Sequence, residues 1–85
     1  MERQKADFIY KIGLDVAIFF GRVGLTETLI NKLNLSPEDK NRSLTAAYFS
    51  AASRCEIIWG DHEKARQYSD IALSYTPLIS QKRHP

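Results

Sequence analysis

The chemically reactive side chains of this sequence are two histidines and one cysteine, His62, His84 and Cys55. A histidine serves as a general base when a neighbouring carboxylate orients its ring, and a cysteine serves as a nucleophile when its pKa is lowered. Neither histidine has an acidic residue four positions away, the spacing that brings side chains together on a helix. Cys55 falls on the apolar stripe of a predicted helix, where a thiol packs as a small hydrophobic group. We therefore predict that the protein is not an enzyme.

Metal and cofactor sites are not predicted either. A zinc site needs histidines, cysteines or carboxylates at short, regular spacings, and the sequence has no such cluster. A phosphate-binding loop needs several glycines close together, whereas the four glycines of this chain are dispersed. We expect no metal and no cofactor.

Composition predicts one small soluble domain. The chain has 85 residues, of which 44% are hydrophobic and 26% are charged, as in ordinary folded domains. We expect a single helical domain over residues 1–80, followed by a disordered basic tail at residues 81–85. The net charge of +2 is too small to argue for a nucleic acid or an anionic membrane as the partner.

The cellular compartment is predicted from cysteine usage and from the apolar runs. A single cysteine allows no internal disulfide, which fits a reducing compartment. The charged start of the sequence is not followed by the apolar segment of a secretory leader. No apolar run approaches the length of about 18 residues that a membrane-spanning helix needs. We therefore expect a cytoplasmic protein without membrane association.

Apolar residues recur in steps of three and four along most of the chain, a spacing that predicts helices and no strand. Four helices are predicted, over Arg3 to Arg22, Thr26 to Asn34, Pro37 to Trp59, and from the cap residue Asp61 to Thr76. The predicted loops are two to four residues long, so sequential helices should be antiparallel neighbours. The predicted fold class is all-α, with four helices as two antiparallel helical hairpins that form either a small α-solenoid or a closed bundle.

Particular residues predict where the helices begin and end. Gly24 is expected to follow the first helix with a positive φ, and Gly60 is expected to stop the third. Ser36 is a favourable N-cap, and Pro37 after it suits the first position of a helix. The pair Thr76-Pro77 is expected to end the fourth helix, because the residue before a proline avoids helical backbone angles.

The first helix carries more apolar residues than one core-facing stripe needs. Its predicted core stripe is Ile9, Ile12, Val16, Phe19 and Val23, with Phe8 and Phe20 beside it. Leu14 and Ile18 lie away from this stripe, and Ile57 and Trp59 lie off the main stripe of the third helix. Apolar surface left over in this way indicates a homodimer or a protein ligand, unless a closed bundle covers all of it.

The second hairpin resembles one tetratricopeptide repeat, a helix-turn-helix unit of 34 residues. The resemblance covers residues 46–77 and rests on four positions at the family spacing, Gly60, Ala65, Ala72 and Pro77. His62, Ser53 and Glu56 depart from the family pattern. The first hairpin resembles a degenerate copy, in which Gly24 precedes Gly60 by 36 residues.

This resemblance implies a protein-binding function. Family members usually bind their ligand in the groove that the first helix of each repeat lines. The corresponding positions here are Lys11, Leu14, Ile18, Ala47, Ser50, Arg54 and Ile57. Arg54 and Lys11 would bind a carboxylate of the ligand, while the aliphatic side chains would supply apolar contact. The implied protein is a small adaptor, or a chaperone similar to the small chaperones of type III secretion, that binds a helical or peptide partner.

A helix-turn-helix DNA-binding regulator is the alternative. Residues 25–48 can be divided into a short helix, a turn at Asn34 to Ser36 and a recognition helix from Pro37. The first turn of that recognition helix would carry Glu38 and Asp39, and phosphate groups repel both carboxylates. Nucleic acid is therefore disfavoured as a partner.

Overall fold

The computed structural model describes the backbone of residues 2–83 and the side chains of residues 5–76. The helices are α1 (Glu2–Phe19), α2 (Val23–Leu33), α3 (Pro37–Arg54) and α4 (His62–Arg83), and a π-helical turn over Cys55–Trp59 continues α3. The described residues contain no β-strand. The predicted all-α class with four helices is therefore confirmed.

Helix α3 is the central element of the fold. It packs against α1 and α2 on one side and against α4 on the other, while α1 and α2 also pack against each other. Within the described part of the chain, α4 contacts only α3 and its π-helical turn. The chain therefore consists of two sequential hairpins, α1–α2 and α3–α4, that meet through α3.

The arrangement is an open layer of helices. Its extents are 45 × 37 × 14 Å, so the molecule is much thinner in one direction than in the other two. The radius of gyration is 14.0 Å, whereas a compact domain of this length has a value of about 12 Å. The helices therefore form a flat, extended arrangement, and apolar surface remains uncovered.

Two small cores lie on either side of α3. In the first, Leu14 and Ala17 of α1 pack against Leu29 and Ile30 of α2. In the second, Ala52 and Cys55 pack against Ala65 of α4, with Tyr68 beside them. The small side chains of the second core allow α3 and α4 to approach closely. Cys55 is buried there as a free thiol, in the apolar environment predicted for it.

The buried face of α1 is not the predicted one. The expected core stripe is exposed, with Ile9 64%, Ile12 50%, Val16 50% and Phe19 67% accessible to solvent. The buried residues are Leu14 and Ala17 instead. Helix α1 is apolar around much of its circumference, and its neighbours cover the side that carries Leu14 and Ala17, with Tyr10 and Ile18 packed beside them. The predicted stripe is left on the outside of the layer.

Tyrosine rings fill the seam between α3 and α4. The Tyr48 ring lies 5.9 Å from that of Tyr68 and 6.2 Å from that of Tyr75, between ring centroids. Burial raises the pKa of the Tyr48 hydroxyl above its ordinary value, and the nearby Glu27 carboxylate adds to the rise. The contribution of this group to stability is thus present below the ordinary tyrosine pKa of about 10 and is lost as pH rises through the higher folded value.

The turn between α1 and α2 uses a different glycine from the one predicted. Gly21 has φ +66°, whereas Gly24 lies inside α2 and has no positive φ. Thr26 is fully buried, and its hydroxyl donates a hydrogen bond of 2.8 Å to the carbonyl of Arg22, one turn earlier. The prediction that Gly24 ends the first helix and that the second begins near Thr26 is therefore wrong by about one turn.

Other predicted boundaries are confirmed. Asp61 accepts a hydrogen bond of 3.0 Å from the backbone N–H of Lys64, which caps α4. Gly60 has φ +65° and ends the π-helical turn. At the start of α3, the Ser36 hydroxyl accepts a hydrogen bond of 3.2 Å from the backbone N–H of Asp39.

Loss of the Ser36 cap is expected to destabilise the chain measurably. Ser36→Ala removes the acceptor for the Asp39 N–H, and such a loss costs about 1 kcal/mol. We expect urea denaturation, followed by circular dichroism, to show this decrease in the free energy of unfolding. Ser36→Asn, which restores a capping oxygen, should retain wild-type stability. Equal destabilisation by both substitutions would contradict a capping role.

The predicted end of the fourth helix at Thr76-Pro77 is wrong, because α4 continues to Arg83. Pro77 has no N–H to donate to the carbonyl of Leu73. The Thr76 hydroxyl donates to that same carbonyl at 2.8 Å, so the carbonyl keeps a hydrogen-bond donor. Of the predicted tail, residues 81–83 belong to α4 by their backbone. Their side chains and residues 84–85 lie outside the described part, and the disorder of this segment stays a prediction.

Candidate functional site

The structure separates the residues that the sequence analysis predicted to bind a partner. Leu14 and Ala47 are buried, Ala47 completely, and they present no surface to a ligand. Ile18 packs against the first core. Lys11 is exposed on α1. The remaining three predicted residues, Ser50, Arg54 and Ile57, line one groove.

This groove lies where the end of α1 meets α3. Its lining consists of Phe19, Ser50, Ser53, Arg54, Ile57 and Ile58, and its volume is about 360 Å³. Aromatic and aliphatic side chains provide the apolar walls, two serines provide hydroxyls, and one guanidinium provides positive charge. We call it the Arg54 groove. Its composition suits a protein segment with an apolar side chain next to an acidic or carbonyl group.

Arg54 is held in place by the end of α1. Its Nε and one terminal nitrogen donate hydrogen bonds of 3.4 and 3.2 Å to the carbonyl oxygen of Phe19. The guanidinium also lies over two aromatic rings, 5.5 Å from the centroid of Phe19 and 4.7 Å from that of Phe20. A cation at the C-terminal end of a helix is favoured by the helix dipole, and each ring adds a cation–π attraction. Arg54 therefore links the two hairpins and fixes a positive charge at the groove.

The π-helical turn supplies the other wall of the Arg54 groove. The N–H of Gly60 donates to the carbonyl of Cys55, five residues earlier, and this wider turn holds one more residue than an α-helical turn. Ile57 and Trp59 within it are 78% and 75% exposed. Such turns occur frequently at functional sites. The sequence analysis placed both residues off the main stripe of the helix, and their exposure agrees with that.

A second apolar surface runs along α1. We define the outer face of α1 as Phe8, Ile9, Ile12, Val16 and Phe19. All five side chains are at least half exposed, and the described parts of α2 and α3 carry no comparable run. The face begins near the N-terminal end of α1 and reaches the Arg54 groove through Phe19, which belongs to both. These residues were predicted to form or adjoin the core-facing stripe of the first helix.

The structure places the reactive side chains of the described region in different surroundings. Cys55 is buried beneath the π-helical turn. The Nδ1 atom of His62 is in contact with the carboxylate of Glu56, and both side chains are largely exposed. Sequence reasoning missed this pair because the turn at Gly60, rather than helical spacing, brings the two residues together. Within residues 5–76, no group of three or more histidine, cysteine or acidic side chains could hold a metal ion.

The N-terminal turn of α3 would be the DNA-contacting element in the alternative function. There the guanidinium of Arg42 lies 4.0 Å from the Glu38 carboxylate and 3.5 Å from that of Asp39. Arg42 is therefore engaged with two carboxylates of its own helix. The start of α3 carries as many acidic as basic side chains, Glu38 and Asp39 against Lys40 and Arg42, so it offers phosphate no excess of positive charge. The geometry adds no support to DNA binding.

Comparisons with protein-family models, with curated proteins and with solved structures found no match. The tetratricopeptide resemblance therefore stays a hypothesis that rests on the residues of the second hairpin. Over the described residues, none of the helices has the length and apolar character required to cross a membrane. A function for this chain must be argued from the two exposed apolar surfaces.

Proposed function

We propose that the chain is a protein–protein interaction module that binds a helical or peptide segment of another protein in the Arg54 groove. The observation that supports this proposal best is the fixed guanidinium of Arg54 beside the exposed side chains of Ile57 and Phe19. The expectation that the chain is a small adaptor or chaperone in the cytoplasm is part of the same proposal.

The charge of Arg54 favours an acidic ligand. Among the described side chains, Arg54 forms hydrogen bonds to a neutral carbonyl and contacts aromatic rings, but it forms no ion pair. A carboxylate of a bound segment would therefore meet a half-buried cation without a competing anion. Because the cation is already oriented by the end of α1, little side-chain entropy is lost on binding.

The apolar wall favours a ligand with a hydrophobic anchor. Ile57 is 78% exposed, and covering an isoleucine side chain contributes on the order of 2 kcal/mol. Hot spots of protein interfaces combine an anchor of this kind with an arginine or aromatic residue in the same pocket. The groove therefore suits an amphipathic segment with a large apolar residue next to an acidic one.

Peptide selection tests this proposal, because a random library needs no named partner. A library of random 15-residue peptides would be selected on the immobilised full chain, and the affinity of each recovered peptide would be measured by calorimetry. We expect the recovered peptides to combine aspartate or glutamate with large apolar residues. Ile57→Ser should weaken their binding about tenfold or more, which corresponds to at least about 1.4 kcal/mol.

The matched control is Leu73→Ser, which alters an exposed apolar side chain on α4 that does not line the Arg54 groove. This variant should bind the selected peptides as the wild type does. Equal weakening by both variants, or peptide binding that Ile57→Ser leaves unchanged, would exclude the Arg54 groove as the binding site.

A further inference from the structure

The outer face of α1 exposes more apolar area than a monomeric helix needs. Phe8, Ile9, Ile12, Val16 and Phe19 are 66%, 64%, 50%, 50% and 67% exposed. They recur in steps of one, three and four, so they form one continuous stripe about three turns long. In a monomer, the side of a surface helix that faces away from the core is normally polar. A contiguous apolar stripe of this kind marks an interaction surface.

The total accessible surface of the chain indicates how much area a partner could cover. The accessible surface is 6232 Å², whereas a folded monomer of 9.7 kDa has about 5,100 Å². The surplus is about 1,100 Å² per chain. This surplus is summed over the whole chain, and it exceeds the roughly 800 Å² per partner that a standard protein interface buries.

Charged residues at the edge of the stripe indicate how two copies would be oriented. Lys11 and Asp15 are exposed one turn apart, and both lie on the same flank of the outer face. When two identical helices pack antiparallel about a twofold axis, the same flank of each meets the other. Lys11 of one copy is then opposite Asp15 of the second copy, and the symmetry repeats the pair. A parallel arrangement would bring opposite flanks together and separate these charges.

We propose that the outer face of α1 is a homodimer interface, in which the α1 helices of two copies pack antiparallel. Ile12 and Val16 lie at the centre, next to the twofold axis, and Phe8 of each copy lies opposite Phe19 of the other. The Lys11–Asp15 pairs flank this centre and select the antiparallel orientation. The interface adjoins the Arg54 groove at Phe19, which belongs to both, while its centre at Ile12 and Val16 lies outside the groove.

The mass of the full chain in solution tests this proposal. Sedimentation equilibrium over a dilution series should give a dimer, with twice the 9.7 kDa mass of the chain. Ile12→Asp should raise the dimer dissociation constant at least about a hundredfold, because two unpaired carboxylates would be buried near the axis. Val16→Asp should act in the same way. Circular dichroism should show unchanged helicity for both, since the two residues lie outside the cores.

Charge exchange tests the orientation. Lys11→Glu alone should weaken the dimer about tenfold, because it places two carboxylates opposite each other at both pairs. Asp15→Lys alone should weaken it similarly, and the double variant should regain the wild-type constant. Failure of the double variant to recover would exclude the antiparallel arrangement.

Leu73→Asp is the control, because it introduces the same charge at an exposed apolar residue on α4. It should leave the mass unchanged. A wild-type chain that is monomeric at all concentrations, or a dimer that tolerates Ile12→Asp, would overturn the proposal. The two proposals fail separately, because Ile57→Ser should weaken peptide binding and leave the mass unchanged, whereas Ile12→Asp should lower the mass.

Discussion

Replacing Gly21 by alanine is expected to lower the free energy of unfolding by at least about 3 kcal/mol. Gly21 has φ +66°, and holding an alanine there costs about 1 kcal/mol or more. The added methyl group would also lie 2.6 Å from the backbone nitrogen of Ala51 and 2.7 Å from its Cα. Those atoms belong to α3 and cannot move away unless the whole helix shifts, so the clash adds to the strain.

The consequence for the fold follows from the position of Gly21. The turn between α1 and α2 touches α3 at Ala51, close to the point where Arg54 contacts the end of α1. A domain of this size has a total stability of about 4 to 13 kcal/mol. The Gly21→Ala variant should therefore lose a large share of its stability, and the first hairpin should separate from α3.

Two other glycines provide matched controls. Gly60 also has a positive φ, +65°, but an added methyl group there meets nothing within 4 Å. Gly60→Ala should therefore cost only about 1 kcal/mol. Gly24 lies in α2 with free space around it, and Gly24→Ala should stabilise the chain by up to about 1 kcal/mol. Urea denaturation of the three variants distinguishes the cost of a positive φ from the cost of the steric clash with α3. Equal losses of unfolding free energy in Gly21→Ala and Gly60→Ala would contradict the close approach to Ala51.

The boundaries that the sequence predicted correctly depend on local chemistry. Ser36 before Pro37 caps α3, Gly60 adopts a positive φ and Asp61 caps α4. In each case the interacting groups are within a few positions of one another, so the residue types alone indicate the geometry. The order of helices and the all-α class follow from such signals and from helical periodicity.

Two of the errors concern contacts between residues far apart in the chain, and the third concerns a local hydrogen bond. Gly21 and Gly24 are equally suited to a turn by type, and only the contact of Gly21 with Ala51, thirty residues later, distinguishes them. Helix α1 has two apolar faces, and periodicity cannot indicate which one α2 and α3 will cover. At the end of α4, the Thr76 hydroxyl compensates for the N–H that Pro77 lacks, a detail that rules for proline do not include.

Part of the candidate site was predictable from helical spacing, and the rest depends on contacts between residues far apart in the chain. Ser50, Arg54 and Ile57 recur at helical spacing along α3 and its π-helical turn, and they line one groove. Their contact with a partner stays a prediction. The resemblance could not show that Arg54 contacts the carbonyl of Phe19, 35 residues away. It also could not show that the outer face of α1, rather than Leu14, is the exposed apolar side of that helix.

Ala47→Leu is expected to destabilise the chain by about 1 to 3 kcal/mol. Ala47 is 0% exposed in the middle of the central helix α3, and three added carbon atoms would force the surrounding helices apart or into strained rotamers. The matched variant is Ala46→Leu, one position earlier on the same helix, where the side chain is exposed. It should change the free energy of unfolding by no more than about 0.5 kcal/mol.

The same pair of variants tests whether position 47 belongs to the groove or to the core. The tetratricopeptide resemblance placed Ala47 among the ligand-contacting positions, whereas its complete burial places it in the packing of α3. If urea denaturation shows that Ala47→Leu is as stable as Ala46→Leu, position 47 has open space beside it and the groove extends along α3 as the resemblance implies. If Ala47→Leu alone is destabilised, position 47 belongs to the packing of α3, and the proposed groove is limited to the residues near the end of α1 and the π-helical turn.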